Sequence, residues 1–364
     1  MAAGKAELAM TGMKCLIGLL AAAALSGALA AQTAKELPTV TIIATGGTIA
    51  GEAATSVQAG YTSGQVGVET LIKAVPTLNK LARVKGEQIS NVGSQDMSDQ
   101  IWLKLARRIS ELAKSPEVDG IAITHGTDTM EETAYFLHLV LKTKKPVVLT
   151  GSMRPSSALS ADGPLNIYNA VSVAADREAA GRGVMVVLND QIHSAHDMTK
   201  TNTSSVETFM SPYRGLIGSS HFGVNQYYRT PFKKHTTSSE LNVEGADRLP
   251  RVDILYVYED MPGDVVDAAV KAGAQGIVVA GVGNGNMPKA VLDSLARAVQ
   301  KGIVVVRASR VPFGFVGRNV EVDDDKLNFV AAEELNPPKA RVLLRLALMK
   351  TKHPQHIQAI FNAH

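Results

Sequence analysis

Short β-branched runs alternate with amphipathic stretches along most of the chain. Val40 to Ala44, Gly120 to Thr124, Pro146 to Thr150 and Val184 to Leu188 are runs of apolar and small residues, as expected of strands buried on both faces of a parallel sheet. Between them Ile101, Leu105, Ile109 and Leu112 recur at spacings of four and three, one stripe of a helix, and Ala134 to Leu141 and Leu165 to Ala174 read as further helices. This alternation from Thr39 to about Asn225 predicts an α/β fold with a doubly wound sheet. Gln226 to Arg251 breaks the pattern with Thr, Ser, Lys, Pro and Asn and has no apolar period, so it reads as a linker, with Lys233-Lys234-His235 as a solvated part of it. A second α/β unit comes after it, with strands at Val252 to Val257, Gly276 to Ala280 and Ile303 to Val306. Its helices fall near Val265 to Lys271, Pro288 to Val299 and Pro338 to Met349.

The segments at the carboxyl ends of two of these strands point to chemistry. Thr45-Gly46-Gly47-Thr48-Ile49-Ala50-Gly51 comes directly after the first, and His125-Gly126-Thr127-Asp128-Thr129-Met130-Glu131-Glu132 directly after Gly120 to Thr124. Open α/β sheets hold ligands outside the carboxyl ends of their strands, so both segments point into one crevice. Each brings a threonine hydroxyl with small neighbours, and the second adds a carboxylate. A hydroxyl held by tight glycine turns and paired with acid/base groups is a candidate nucleophile for acyl transfer.

Length and composition narrow the setting. At 364 residues with 45% apolar content the chain can bury a full core, and its length favours two domains. Residues 1–30 read as a secretory signal: Lys14, the apolar stretch Leu16 to Leu25, then Ala28-Leu29-Ala30 as a cleavage site, with either Met1 or Met13 as the start. The stretch is too short to span a bilayer, which needs about 20 apolar residues. Cys15 is the only cysteine and lies in this leader, so the mature chain has no thiol chemistry and no disulfide. The formal charge is +3, of which the leader holds +1 (Lys5 and Lys14 against Glu7), leaving +2. That balance favours neither nucleic acid nor an anionic membrane as partner. His193 and His196 have a metal-like offset, but no third ligand accompanies them, so no metal or cofactor is expected. Gly281 to Asn286 lacks the full glycine spacing of a dinucleotide loop.

The two threonine clusters resemble those of the bacterial type II L-asparaginases, and the likeness runs from about Leu37 to the C-terminus. The resemblance implies a two-domain asparaginase-like fold: a larger flavodoxin-like N-terminal domain over 37–225, a linker over 226–250 and a smaller α/β domain over 251–364. It implies hydrolysis of L-asparagine to L-aspartate and ammonia by a periplasmic or secreted enzyme, with Thr48 as the primary nucleophile. Thr127, Asp128 and Lys200 would form a hydrogen-bonded set at the scissile amide, and Tyr61 would sit in a lid, hydrogen-bonded to Thr48. Ser94 and Gln95 would bind the α-carboxylate and α-amino ends, with Asp128 suited to the ammonium. Asn286 and Glu321 would reach the pocket from a neighbouring subunit, in a homotetramer built as a pair of dimers. The residues leave the base open, because a lysine beside a threonine serves as base only when its pKa is lowered and a nearby aspartate opposes that. Glutamine-active relatives tend to have Ser-Glu and Ser where this chain has Ser94-Gln95 and Asn286, which favours asparagine with some glutaminase activity. Two other readings compete. A leader with two α/β units around a cleft also fits a non-catalytic amino-acid-binding protein, and the asparaginase-like subunit of a tRNA-dependent amidotransferase is opposed by the leader and the near-neutral charge.

Overall fold

The computed structural model describes residues 36–57 and 62–364, so the leader read at 1–30 and Tyr61, read as part of a lid, lie outside the described residues. The first half of the chain supplies β1 (Thr39–Gly46), β2 (Arg83–Val92), β3 (Gly120–Thr124), β4 (Val147–Thr150), β5 (Val184–Leu188), β6 (Gln191–Ser194), β7 (Thr199–Lys200), β8 (Phe209–Met210), β9 (Gly218–His221) and β10 (Val224–Tyr227). Apart from β7 and β8, which pair with each other, these form one eight-stranded sheet in the order β10-β9-β6-β5-β4-β3-β1-β2. From β2 to β5 all pairs are parallel, with Ile42 opposite Gly86 on one side and Ala122 on the other. All eight residues of β1 are buried. Its side chains alternate: Ile43 joins the helices Asp99–Lys114 and Met130–Val140 on one face, and Val40, Ile42 and Ala44 join Gly163–Ala175 on the other. Each aliphatic side chain buried this way contributes about 1.5–3 kcal/mol.

The strands read from the sequence lie in the parallel part of the sheet, which continues beyond them through the antiparallel pairs β5–β6, β6–β9 and β9–β10. One expectation needs correction: the segment read as a linker is tied down. Gln226 and Tyr227 belong to β10, Leu241 and Leu249 are buried, and the Lys142 ammonium donates to Thr236 O at 3.2 Å and Ser239 O at 2.5 Å. Lys233 in particular is not solvated, since its Nζ lies 3.0 Å from the Glu333 carboxylate and donates to Asn362 O.

The second sheet has the order β11 (Val252–Tyr256), β12 (Gly276–Gly281), β13 (Val304–Ser309) and β14 (Val330–Ala331), all parallel. The helices Asp264–Lys271 and Lys289–Gln300 cover its outer face. Its inner face, with Val252, Val278, Val304 and Val306, packs on the helix Pro337–Leu348. That helix also packs against Met130–Val140, so both sheets share one core. Pro38–His364 is one compact unit, and no helix among the described residues is long and apolar enough to cross a membrane.

Candidate active site

With β1 between β2 and β3, the strand order reverses at the β1/β3 edge, where open α/β sheets bind ligands. Glycine sets the geometry of this edge. Gly46 and Gly47 leave β1 at φ of 110° and 85°, a region hostile to side chains. Space excludes a side chain too: a Cβ on Gly47 would stand 2.3 Å from the Gly126 Cα, and one on Gly46 2.4 Å from the Val92 oxygen. The turn after β1 is therefore seated backbone to backbone against the turn after β3. Gly47 N donates to Val92 O at 2.9 Å, and the chain enters a short 3-10 turn, Thr48–Ala50, which opens with the buried Thr48.

Ser94 closes the same row from β2. It is buried, its Oγ accepts from Asp128 N at 3.1 Å and its carbonyl accepts from the Thr129 hydroxyl at 2.7 Å. A serine hydroxyl that accepts one N–H keeps its own proton to donate. Gln95 beside it is exposed, with Nε2 3.4 Å from an Asp96 oxygen.

Lys200 comes from the β7–β8 ribbon. Its Nζ donates to the Thr127 hydroxyl at 3.0 Å and to an Asp128 oxygen at 2.6 Å. Thr127 is buried, the Lys200 side chain is 18% exposed and that of Asp128 63%. The three thus form a graded series from buried hydroxyl through shielded ammonium to open carboxylate. A hydroxyl that accepts from an ammonium keeps its own proton to pass on, while the outer carboxylate suits a cationic ligand. His125, the first residue of this cluster, takes a structural place. Its Nδ1 lies 2.7 Å from Gly126 O, and burial lowers its pKa to about 4, so it is neutral at pH 7.

The chain on either side of Tyr61 returns to the Thr48 turn. Glu52 and Thr62 exchange backbone bonds of 3.1 and 3.0 Å, Gly64 N donates to Gly47 O at 3.2 Å, and the Asn91 amide donates to Gly64 O.

Asn286 and Glu321 meet at the carboxyl end of the second sheet, where Asn286 Nδ2 donates to Glu321 at 2.5 Å. Both loops hang on Arg307, whose side chain is fully buried against Asp324 at 2.6 Å. Its remaining N–H groups reach Asn284 O and Gly317 O, each at 2.9 Å. Among the described residues no hydrogen bond joins Asn286 or Glu321 to Ser94, Thr127, Asp128 or Lys200. His193 and His196 have other partners, the Ser211 hydroxyl at 2.9 Å and an Asp197 oxygen at 2.7 Å. Sequence reasoning gave no role to Glu131 and Asn336, which contact the Lys200 strand. Asn336-Pro337-Pro338 signals only a helix start, and nothing in the sequence ties it to Lys200.

Comparison with known proteins bears on both sheets. Residues 39–232 match the family model "Asparaginase, N-terminal", and residues 251–361 match "Glutaminase/Asparaginase C-terminal domain". The chain is 55% identical over 328 residues to "Probable L-asparaginase periplasmic" of Haemophilus influenzae, covering 90% of this chain and 93% of that protein. It is 54% identical over 329 residues to L-asparaginase 2 of Escherichia coli, covering 90% and 94%. To the glutaminase-asparaginase of Pseudomonas fluorescens it is 46% identical over 332 residues, covering 91% of each. Both family models are thus matched in chain order, across the two sheets whose ends carry these polar groups, and the chain belongs to the asparaginase family.

Proposed function

We propose that the protein hydrolyses the side-chain amide of L-asparagine to L-aspartate and ammonia in the periplasm or outside the cell, with minor activity on L-glutamine. The names of its relatives support the reaction, and the leader with the H. influenzae relative's name supports the compartment. The observation that carries the reading is the Lys200 ammonium on the buried Thr127 hydroxyl at 3.0 Å, at the sheet edge that also holds the Thr48 turn. The names of the relatives favour this reading over a non-catalytic amino-acid-binding protein.

In this reading Thr48 Oγ1 attacks the amide carbon as Tyr61 relays its proton, while backbone N–H groups near the turn other than that of Gly47, which Val92 O already holds, donate to the developing oxyanion. The Thr127–Lys200–Asp128 set passes the proton lost by Thr48 on to the departing nitrogen, the C–N bond breaks with release of ammonia, and water then cleaves the ester, releasing aspartate and returning a proton to Thr48. Tyr61 orients Thr48 and closes with its loop over the substrate. Ser94 and Gln95 hold the α-carboxylate, and Asp128 holds the α-ammonium. Asn286 and Glu321 complete the pocket of a neighbouring subunit in a homotetramer, a dimer of dimers. Glutamine is longer by one methylene, worth about 1–3 kcal/mol in a pocket, so it is turned over slowly. The domains are read as 37–225 and 251–364, with 226–250 between them.

Ammonia release from asparagine tests the reaction and the sharing of sites together. Wild type turns over, whereas Thr48→Ala and Glu321→Ala alone do not, although Thr48→Ala still binds aspartate. Mixing the two variants restores part of the activity, because some pockets then pair an intact Thr48 with an intact Glu321. Asparagine bound without ammonia release identifies a binding protein. Mixed oligomers that stay inactive return Glu321 to its own chain's pocket.

A further inference from the structure

The strand that carries Lys200 is held from the second-sheet side of the molecule by a polar cluster outside the groups placed at the amide. Asn336 caps the helix Pro337–Leu348, its Oδ1 accepting from Lys339 N at 3.1 Å. The same side chain's Nδ2 donates to Glu131 at 3.2 Å and to the Thr199 hydroxyl at 3.3 Å. The other oxygen of Glu131 accepts from the backbone N–H of Lys200 at 3.3 Å. One turn into the helix Lys339 is buried, and its ammonium donates to the carbonyl of His196 at 2.7 Å and to that of Met198. Burial lowers the pKa of that ammonium below lysine's ordinary range, while Glu131 and Asp197 act the other way. The ammonium gives two loop carbonyls the donors that burial denies them from water, and so ties this loop to the helix. The loop it grips, His196 to Met198, runs directly into β7.

β7 needs this support. It has only two residues, paired with Phe209 and Met210, and Asn202 to Ser205 beyond it is exposed. A flexible four-carbon stem on such a ribbon does not hold its ammonium in one place by itself.

We propose that Asn336 and Lys339 are positioning residues for Lys200, fixing the backbone of residues 196–200 so that the ammonium stays on the buried Thr127 hydroxyl instead of following the exposed Asp128 carboxylate. This rests on the reading of Lys200 as part of the hydrolytic machinery. A displacement of about 1 Å at such a group costs on the order of 10²-fold in rate.

A double-mutant cycle tests it. Asn336→Ser keeps a good N-cap but cannot reach Glu131 and Thr199. It lowers kcat for asparagine about 10-fold or more, with KM within about twofold and the unfolding midpoint within a few degrees of wild type. In a Lys200→Met background the same change costs nothing further, because the group it positions is gone. An unchanged kcat in the wild-type background overturns the proposal. So does an equal loss in both backgrounds, which is the signature of a general structural role. If Asn336→Ser does not fold, Thr199→Val removes the acceptor at constant volume and enters the same cycle with the same two criteria. Unimpaired turnover by Lys200→Met, or a wild type that releases no ammonia, would instead overturn the functional reading beneath it.

Discussion

At the scale of single residues the site depends on atoms that are absent. Gly47 and Gly126 touch through their backbones, and a Cβ on Gly126 would meet the Ser94 Oγ at 2.7 Å and the Gly47 Cα at 3.1 Å. Gly126→Ala must therefore move Ser94, part the two turns, or both. The expected cost is about 1–3 kcal/mol in stability, as for other overpacked sites. It comes with a loss on the order of 10²-fold in kcat/KM, as the Thr48 and Thr127 turns separate. Chemical denaturation and ammonia release measure the two. Full activity in this variant would show that the turns part freely and that their contact sets nothing.

At the scale of elements the fully buried Arg307–Asp324 pair carries the loops of Asn286 and Glu321. Arg307→Met leaves the Asp324 charge buried without its partner and is expected to destabilise by about 3–5 kcal/mol, read in a denaturant titration. Replacing both, Arg307→Met with Asp324→Leu, should recover much of that loss; failure to recover would mean that the guanidinium's bonds to the loop carbonyls carry the stability. Neither role is visible in sequence, where Arg307 is one polar residue at the end of an apolar run. Legibility elsewhere followed burial. β1, β3 and β5 were readable because every one of their positions is buried and apolar or small. β2 mixes exposed and half-buried positions at the sheet edge, with the charged Arg83 and Lys85 exposed there, and has no apolar period. The antiparallel β6, β9 and β10, with sequences QIHS, GSSH and VNQY, are too polar and short to announce themselves. In the site, Thr48, Thr127 and Asp128 stood out because they directly follow readable strands. Lys200 and Ser94 needed the family resemblance, since a ribbon of two residues and a polar turn look like any loop.

At the scale of the whole molecule, buried histidines make stability depend on pH. Burial lowers the pKa of both His125 and His193 to about 4, with Lys339 adding to the effect at His193, and burial lowers His138, His196, His235 and His364 in the same direction. The unfolded chain takes up protons at these positions near pH 6.5, while folded His125 and His193 resist until about pH 4 and the other four titrate below their ordinary value. Stability is therefore full above about 6.5 and falls as the pH drops towards 4, by roughly 3 kcal/mol at most for each of His125 and His193. Unfolding midpoints measured from pH 7.5 down to 4.5 should fall steadily, and a midpoint that holds or rises on acidification would contradict this. The helix Pro337–Leu348 has a consequence of another kind. One side of it is lining for the second sheet and another is lining for Met130–Val140 of the first, so the two halves are not modules that can be separated. Cutting the chain between them would leave each piece with an open apolar wall, and a homologous half grafted in must match this helix before it can match the pocket. Exchange between relatives is thus confined to the loops at the sheet ends, where residues can change without disturbing the wall that both halves share.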